Sequence, residues 1–377
     1  MEKILFRKLL LDYLRFFLIA LFSSSIVLWV FQAVNYLDIM IEDGRDYLVY
    51  INYSLLSFPK ILNKLFPFVL FFSLFQVIAK YENNNELIIF WTFGINKLQI
   101  INFIFKLSII LTMIQIVMSS LIIPKTQDLA RSFIKNSKVN FVGNFIKPQR
   151  FNDTIKNVTL YSEKKDDKGR LYNLYLKKQQ GDTFEISYAK KGEFKLFNNI
   201  PVLVLFDGAT INGKKDKITN ISFSKSDFPI NNFESNAVTY KKTQEMNSLD
   251  LIKCVRYLNV NLKKAKNIIN CSQKNLINVY KELYKRFIIP FYIPLLILVA
   301  LLMTLSSKEN INYLKIKIVT FLIGLFFIIF SETTIKMISE IIYKNIMISF
   351  LPFLFVLIIY LLFLKKTSVY KLNENLH

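Results

Sequence analysis

The sequence predicts a polytopic α-helical membrane protein in which two groups of three spans flank a β-rich soluble domain. Apolar residues gather at the two ends of the 377-residue chain, in runs about as long as the roughly 20 residues that a membrane span requires. The middle third is more polar, and it contains short segments in which apolar and polar residues alternate, as they do in half-buried strands.

The first group of spans is predicted at residues 16–37, 55–79 and 98–123. A basic head precedes the first run, and Pro124 is expected to end the third. The first run is too long for a signal peptide, and no small-residue cleavage pattern follows it. We therefore expect it to remain in the protein as a span.

The second group of spans is predicted at residues 287–305, 316–335 and 346–364. Lys and Arg are enriched in short cytoplasmic loops, so their distribution indicates the orientation. If the N-terminus is inside, the inner segments hold twelve Lys or Arg residues and the opposite short loops hold three. Both termini are therefore predicted on the inner side, and the middle domain is predicted on the outer side.

Strand patterns cover about residues 158–223 of the middle domain. Several segments alternate, and the continuous apolar run 202–206 predicts a strand that is covered on both faces. Turn residues cluster at 166–169, 181–182 and 212–217, at the spacing of hairpins. We expect an antiparallel sandwich or jelly-roll, followed by a helix that Ser248 caps and that continues through 263–285.

Two cysteines, Cys254 and Cys271, fall in the predicted helical stretch after the strands. On one continuous helix they would lie about 25 Å apart, which is beyond the reach of a disulfide. We therefore predict two structural cysteines that do not pair. The single histidine is His377, which nearly excludes histidine-based metal sites and catalytic triads. No metal, cofactor or catalytic residue is predicted.

The segment 208–215 has the glycine spacing of a phosphate-binding P-loop. Its last position is Lys215, where the P-loop requires the Ser or Thr hydroxyl that binds magnesium. The segment also lies among predicted strands, and Asn212–Gly213 is typical of a hairpin turn. The chain is therefore not expected to hydrolyse ATP by itself.

The chain carries a formal net charge of +22, and residues 124–285 contribute 30 Lys or Arg against 15 Asp or Glu. Such an excess is typical of proteins that bind anionic partners, such as nucleic acid or phosphorylated lipid. The codon bias of an AT-rich genome explains the positive charge equally well, because such genomes favour Lys, Asn, Ile and Phe, and the chain is rich in all four. The charge supports a lipid ligand without establishing one, and no nucleic-acid partner is predicted.

A short inner loop between the second and third spans, residues 83–94, contains the sharpest motif. Three asparagines break the helix, and Glu86 then occupies the first turn of a new helix, where the helix dipole favours an acid. Gly94 is expected to end this helix, and its Trp and Phe side chains are expected to face outward. Such a helix suits insertion into a groove on a partner protein, and equally an interfacial position on lipid.

Ionisable residues are rare inside the predicted spans, and their cost there makes the exceptions informative. Lys60 and Lys64 are four positions apart, so they share one helical face at the outer end of the second span. Glu332 and Lys336 have the same spacing at the outer end of the fifth span. These lysines either bind a lipid anion or extend to the membrane surface without a ligand.

The order of these elements resembles the LptF/LptG permease family of the lipopolysaccharide exporter. The shared features are a basic head, three spans, a Glu-Leu…Gly loop, a β-rich insert and three more spans. Pro59-Lys60…Pro67, Pro124 and Glu282–Arg286 also resemble that family, and the similarity covers essentially the whole chain. Glu282–Arg286 is closer to LptF and Pro59-Lys60 is closer to LptG, and we favour LptF.

The resemblance implies a bacterial inner-membrane permease with cytoplasmic termini and a periplasmic jelly-roll domain. The chain would then consist of three regions. Residues 1–123 would form the first three spans and a coupling helix at about 84–94, residues 124–286 the jelly-roll domain and a helical connector, and residues 287–377 the last three spans. The implied partners are the cytoplasmic ATPase LptB, a sister permease (LptG if this chain is LptF), LptC, the periplasmic bridge protein LptA, lipopolysaccharide and membrane lipid. ATP-driven closure of the permease pair would move lipopolysaccharide toward the bridge.

The resemblance also implies roles for individual residues. Contact with the ATPase is assigned to Glu86, Leu87, Trp91 and Gly94. Lipid binding is assigned to Lys60, Lys64, Arg131, Arg286 and Lys336. The first outer loop, 38–46, has a net charge of −3 and departs from a basic pattern, which argues against a cationic lipid clamp there.

Two other classes of protein fit the same architecture. One is a membrane-anchored enzyme of the cell envelope with its active site in the outer domain. The lack of histidine there, and of a nucleophile or paired-carboxylate motif, disfavours it. The other is an assembly or scaffold protein that needs no ATPase. Association with a P-loop ATPase distinguishes the transporter from the scaffold.

Overall fold

The computed structural model describes residues 2–37, 47–136, 148–155, 158–166, 169–180, 183–197, 200–214, 217–229, 241–260 and 270–374. The acidic loop 38–46, Lys215 and His377 lie outside the described residues. The chain divides into two compact units. The helical unit contains Met1–Val30, Leu56–Leu129 and Lys241–His377, and the sheet unit contains Phe31–Leu55 and Ala130–Tyr240.

Six helices in the described residues are long and apolar enough to cross a membrane, which confirms the predicted three-plus-three arrangement. They are Glu2–Asn35, Tyr47–Asn83, Lys97–Phe133, Gln273–Leu305, Tyr313–Met337 and Ile342–Thr367, called spans 1 to 6 below. Span 6 continues as helix to Glu374. Two shorter helices are Glu86–Thr92, called the loop helix, and Ser248–Val260, called the connector helix.

Spans 3 and 4 are irregular. Span 3 is α-helical to Val117, forms a π-helical turn at Met118–Ile122 and continues as Ile123–Asn136. Pro124 therefore does not end span 3, contrary to the prediction, because the wider turn just before it accommodates a residue without an N–H donor. Span 4 consists of Gln273–Asn275, Leu276–Phe287, Ile289–Phe291, Tyr292–Leu301 and Leu302–Leu305.

The core of the helical unit is centred on span 4. Every residue of Tyr292–Leu301 is buried, as expected for a helix that is apolar on all sides. Spans 2 and 5 approach closely at Gly324, where an added Cβ atom would lie 2.0 Å from Cζ of Phe71. Small residues permit such close contacts between membrane helices. Large apolar side chains such as Ile329 and Phe350 remain exposed on spans 5 and 6, where lipid can cover them.

The sheet unit contains an antiparallel sheet of six described strands, which confirms the predicted β-rich insert. The strands are Phe151–Ile155 (β1), Val158–Lys165 (β2), Leu171–Gln180 (β3), Thr183–Phe197 (β4), Ile200–Lys214 (β5) and Lys217–Pro229 (β6). Each strand pairs with its neighbours in sequence, in the order β1 to β6. The strand predicted to be covered on both faces is confirmed, because Leu203, Val204 and Leu205 are at most 1% exposed.

The reversal between β5 and β6 falls within the predicted turn cluster 212–217, but Asn212 and Gly213 are not the turn residues. Asn212 and Gly213 are paired residues of β5, and the chain reverses only after Lys214. The glycines of this segment allow close packing between strands: a Cβ atom at Gly208 would lie 2.2 Å from the carbonyl oxygen of Tyr188. They therefore belong to a strand and not to a phosphate-binding loop.

The prediction of two cysteines that do not pair is wrong. Cys254 and Cys271 form a disulfide, and their Cα atoms lie 5.7 Å apart. The prediction assumed one continuous helix. Instead, the connector helix ends at Val260, and Asn270 adopts a left-handed backbone with φ 58° before Cys271. The two cysteines therefore lie on separate segments, and they share a buried apolar cluster with Val279 of span 4.

Candidate functional site

The loop helix between spans 2 and 3 begins at Glu86. The preceding Asn85 adopts a left-handed backbone with φ 60°, which turns the chain after span 2. The predicted end at Gly94 is confirmed. Its positive φ of 74° lets its own N–H donate to the carbonyl of Trp91 and lets the next N–H donate to the carbonyl of Phe90. This pattern closes a helix and explains the glycine at this position.

One face of the loop helix is buried and the other is exposed. Leu87 and Phe90 are buried in the core of the helical unit. Trp91 is half-buried, and the Lys97 ammonium lies 5.7 Å from its ring centroid. The exposed apolar residues are Ile88, Ile89 and Phe93. The prediction that Trp and Phe side chains form the outward face is therefore only partly right. Two isoleucines supply most of that face, and Phe93 is the exposed aromatic residue. The three-residue spacing of Leu87 and Phe90 was the signal for the buried face.

The Glu86 carboxylate is bonded by neighbours from its own chain. It accepts hydrogen bonds from the Lys8 ammonium at 2.8 Å and from the Asn84 amide at 3.2 Å. The bond from Lys8 lowers the pKa of the Glu86 carboxyl below its ordinary value. Beside this pair, Tyr81 donates to Asp12 at 2.6 Å, and the Lys8 ammonium lies 5.7 Å from the Tyr81 ring centroid. Polar side chains thus join span 1, the end of span 2 and the loop helix.

Lys60 and Lys64 are both exposed on span 2. Lys60 donates a hydrogen bond to the side-chain oxygen of Gln244 at 3.3 Å. It also interacts electrostatically with two further cations and two carboxylates, which are Lys242, Lys285, Glu245 and Glu282. This group, called the Lys60 cluster, holds three cations against two carboxylates, so an anionic ligand would balance its charge.

Arg286 is placed differently from a residue that meets lipid directly. The residue is only 2% exposed. Its guanidinium donates to the carboxylate of Glu282, the carbonyls of Gln244 and Met246 and the hydroxyl of Ser248, at 2.8 to 3.0 Å. Because these internal acceptors use the side chain, we do not carry Arg286 into a lipid-binding role.

The other two cations assigned to lipid lie elsewhere in the chain. Arg131 belongs to the sheet unit and is half-buried, and Lys336 is exposed in the last turn of span 5. Within the described ranges, no group of three His, Cys, Asp or Glu side chains is placed to hold a metal ion. The candidate site thus consists of the polar groups around Glu86 and the Lys60 cluster.

Comparison with known proteins identifies the family. Residues 7–366 match the family described as lipopolysaccharide export system permease LptF/LptG. The chain is also similar to an uncharacterized protein of Rickettsia prowazekii (strain Madrid E), at 23% identity over 317 residues, which cover 81% of this chain and 84% of that protein. The family match spans all six membrane helices and the β-rich insert between them. The chain therefore belongs to the LptF/LptG family of lipopolysaccharide export permeases.

Proposed function

We propose that this protein is a transmembrane subunit of an ABC exporter that extracts lipopolysaccharide from the inner membrane and passes it toward a periplasmic bridge. The family match over residues 7–366 carries this proposal. Two features of the helical unit support it, namely the loop helix that begins at Glu86 and the cationic Lys60 cluster. The chain has no ATPase site of its own in this proposal, and a separate subunit hydrolyses ATP.

In the proposed orientation, both termini and the loop helix are cytoplasmic, and the sheet is periplasmic. The excess of Lys and Arg in the inner segments supports it. The disulfide between Cys254 and Cys271 is an independent argument, because disulfides persist in the periplasm and are rare in the cytosol. The proposed divisions are 1–123, 124–286 and 287–377, and the disulfide lies in the middle one.

At the cytoplasmic end, the loop helix docks into a basic groove of the ATPase LptB. Glu86 accepts charge-assisted hydrogen bonds from that groove. The exposed isoleucines and Phe93 supply apolar contact area, and Trp91 lies half-buried beside them. Leu87 and Gly94 act indirectly, because Leu87 anchors the helix in the core and Gly94 ends it.

At the periplasmic end, the Lys60 cluster receives phosphate groups of lipopolysaccharide, with Lys64 and Lys336 as further cations of the helical unit. Arg131, in the sheet unit, is a separate candidate for lipid binding. A lysine at the centre of a membrane helix costs about 2.5–3.5 kcal/mol on insertion scales. Near the membrane surface, either a lipid phosphate or hydration by water offsets this cost. The excess of cations over carboxylates around Lys60 favours the phosphate.

The remaining partners in the proposal are a sister permease, LptC and the bridge protein LptA. The similarity of Glu282–Arg286 to LptF supports assignment of this chain to that subtype, and LptG is then the sister permease. In a permease pair of this kind, ATP binding to the ATPase closes the two subunits and moves the lipid toward the bridge.

Extraction of the tagged protein in mild detergent, followed by mass spectrometry, tests the proposal. We expect a P-loop ATPase and a second permease in stoichiometric amounts, together with ATP turnover that depends on lipopolysaccharide. A stable complex that contains no ATPase would contradict the proposal and support a membrane scaffold instead.

A further inference from the structure

Residues 244–248, which lead into the connector helix, are tied to spans 3 and 4 by buried hydrogen bonds. The Arg286 guanidinium on span 4 donates to the carbonyls of Gln244 and Met246 and to the Ser248 hydroxyl. The Ser248 hydroxyl donates in turn to the carbonyl of Ser120 on span 3 at 2.7 Å. One arginine and one serine therefore join three parts of the chain.

The contact with span 3 falls at Ser120, inside the π-helical turn that precedes Pro124. In an α-helix the carbonyl of Ser120 would accept from the N–H four residues later, but that residue is Pro124, which has none. Polar backbone groups inside a membrane protein must find a partner within the protein. The Ser248 hydroxyl donates to this carbonyl from outside the helix, so residues 244–248 contact span 3 at its irregular turn.

Arg286 is also bonded along span 4, where its Nε donates to the Glu282 carboxylate at 3.0 Å. Its own carbonyl accepts from the Ser119 hydroxyl at 2.9 Å. A buried guanidinium is tolerated only when its charge is paired and its donors are satisfied, and loss of one partner is strongly unfavourable. Movement of residues 244–248 away from span 4 would therefore leave the Nη1 and Nη2 donors of a buried guanidinium without these acceptors, although its charge would stay paired with Glu282.

Gln244 connects this arrangement to the Lys60 cluster. Its main-chain carbonyl accepts from Nη2 of Arg286 at 3.0 Å, while its side-chain oxygen accepts from the Lys60 ammonium at 3.3 Å. Lys242 and Glu245, which interact electrostatically with Lys60, lie in the same short stretch. The position of Arg286 thus determines where three neighbours of Lys60 are found.

We infer that Arg286 is a positioning residue of the lipid-phosphate site: it holds residues 242–248 so that Gln244 orients the Lys60 ammonium toward the lipid anion. Arg286 acts through Gln244 and does not touch the lipid. The inference rests on the proposed lipid-binding function of Lys60.

The positional part is tested by electron paramagnetic resonance on the full chain in nanodiscs, with nitroxide labels at Lys60→Cys and Gln244→Cys. Arg286 bonds the main chain of Gln244, so the label leaves that bond in place. Cys254 and Cys271 are joined to each other and do not react with the label. We expect strong dipolar broadening, because the two labels lie a short and well-defined distance apart. In Arg286→Met we expect weaker broadening and a wider distribution of label–label distances. Arg256→Met, an exposed arginine of the connector helix, is the matched control and should change nothing.

Unchanged broadening in Arg286→Met protein that elutes as one folded species would overturn the inference. If Arg286→Met does not fold, Arg286→Lys decides the question, because lysine keeps the charge but not the planar set of donors. A spread distance in Arg286→Lys supports the inference, and an unchanged distance overturns it.

The functional part is tested by crosslinking of lipopolysaccharide to a benzophenone amino acid at Phe68, an exposed position one turn beyond Lys64. We expect Arg286→Met to lower the crosslinked yield about tenfold. A misplaced Lys60 ammonium would lose about one charge-assisted hydrogen bond to the lipid phosphate, which corresponds to a loss of this size. Unchanged yield together with a spread label distance would overturn the role of Arg286 in lipid capture. Unchanged yield in Lys60→Gln would instead refute the proposed lipid site, and the label distance would still decide whether Arg286 positions Gln244.

Discussion

The Lys8 ammonium and the Glu86 carboxylate lie 2.8 Å apart and join the first span to the loop helix. Both side chains are partly exposed, at 58% for Lys8 and 23% for Glu86. Ion pairs in such a setting contribute about 0.2–1 kcal/mol, because water screens them. Under the proposed function, a cation of the ATPase would therefore replace Lys8 beside Glu86 at little cost. The pair joins Glu86 to span 1 and leaves the carboxylate partly exposed.

Replacement of Glu86 by alanine should reduce coupling to the ATPase. The variant removes the acceptor of charge-assisted hydrogen bonds, so we expect the lipopolysaccharide-dependent ATP turnover of the reconstituted complex to fall about tenfold. Membrane insertion should be intact. Glu309→Ala, an exposed carboxylate in the loop between spans 4 and 5, is the control. Equal turnover in wild type and Glu86→Ala complexes would remove the coupling role.

The contribution of Glu86 to stability should depend on pH. The bond from Lys8 lowers the pKa of Glu86 in the folded protein, so the stabilisation is present above the ordinary pKa of glutamate. It is lost as the pH falls through the lowered pKa. The difference in Tm between wild type and Glu86→Gln in detergent should therefore be largest near neutral pH and should close under acid conditions. A difference that does not vary with pH would contradict this account of the pair.

Elements that depend on local sequence were predictable. The six spans follow from the length of apolar runs, and the end of the loop helix follows from Gly94, whose positive φ suits glycine. The strand at residues 202–206 follows from a continuous apolar run. In each case the physical cause lies within a few residues of the element that it produces.

Contacts between distant residues were not predictable from these patterns. Lys8 and Glu86 are 78 positions apart, and nothing in the basic head distinguishes Lys8 from its neighbours. Arg286 and Glu282 form a recognisable pair at i and i+4, but the carbonyl of Met246 lies 40 positions away. The disulfide joins residues 17 positions apart, and local helix patterns do not indicate that their Cα atoms lie 5.7 Å from each other.

Thiol labelling should test the orientation. Lys190→Cys, at an exposed site of β4, should react with a membrane-impermeant maleimide in cells whose outer membrane is permeabilised. Asn84→Cys, at the exposed turn before the loop helix, should react only after the inner membrane is opened. The parent protein should not react in either case, because its two cysteines form a disulfide. The reverse labelling pattern would overturn the proposed topology.

Charge reversal at Lys60 and Lys64 should separate lipid binding from simple hydration of the two ammonium groups. If the lysines bind phosphate, the double Glu variant should lose most lipopolysaccharide crosslinking, and the double Gln variant should show an intermediate loss. Lys344→Glu, an exposed lysine at the start of span 6, is the matched control. If the lysines only reach water, the double Gln variant should crosslink lipopolysaccharide almost as well as wild type. The double Glu variant should then be expressed at a lower level but should crosslink normally when equal amounts of protein are compared. Full crosslinking by a stable double Glu variant would exclude the lipid site.

Transfer of lipopolysaccharide out of proteoliposomes tests the central claim most directly. The complex purified through this chain is reconstituted with labelled lipopolysaccharide, and the label captured by added LptA is measured with and without ATP. We expect transfer that requires ATP and that Glu86→Ala reduces about tenfold. Equal transfer with and without ATP, or no transfer by a complex that hydrolyses ATP, would contradict the account.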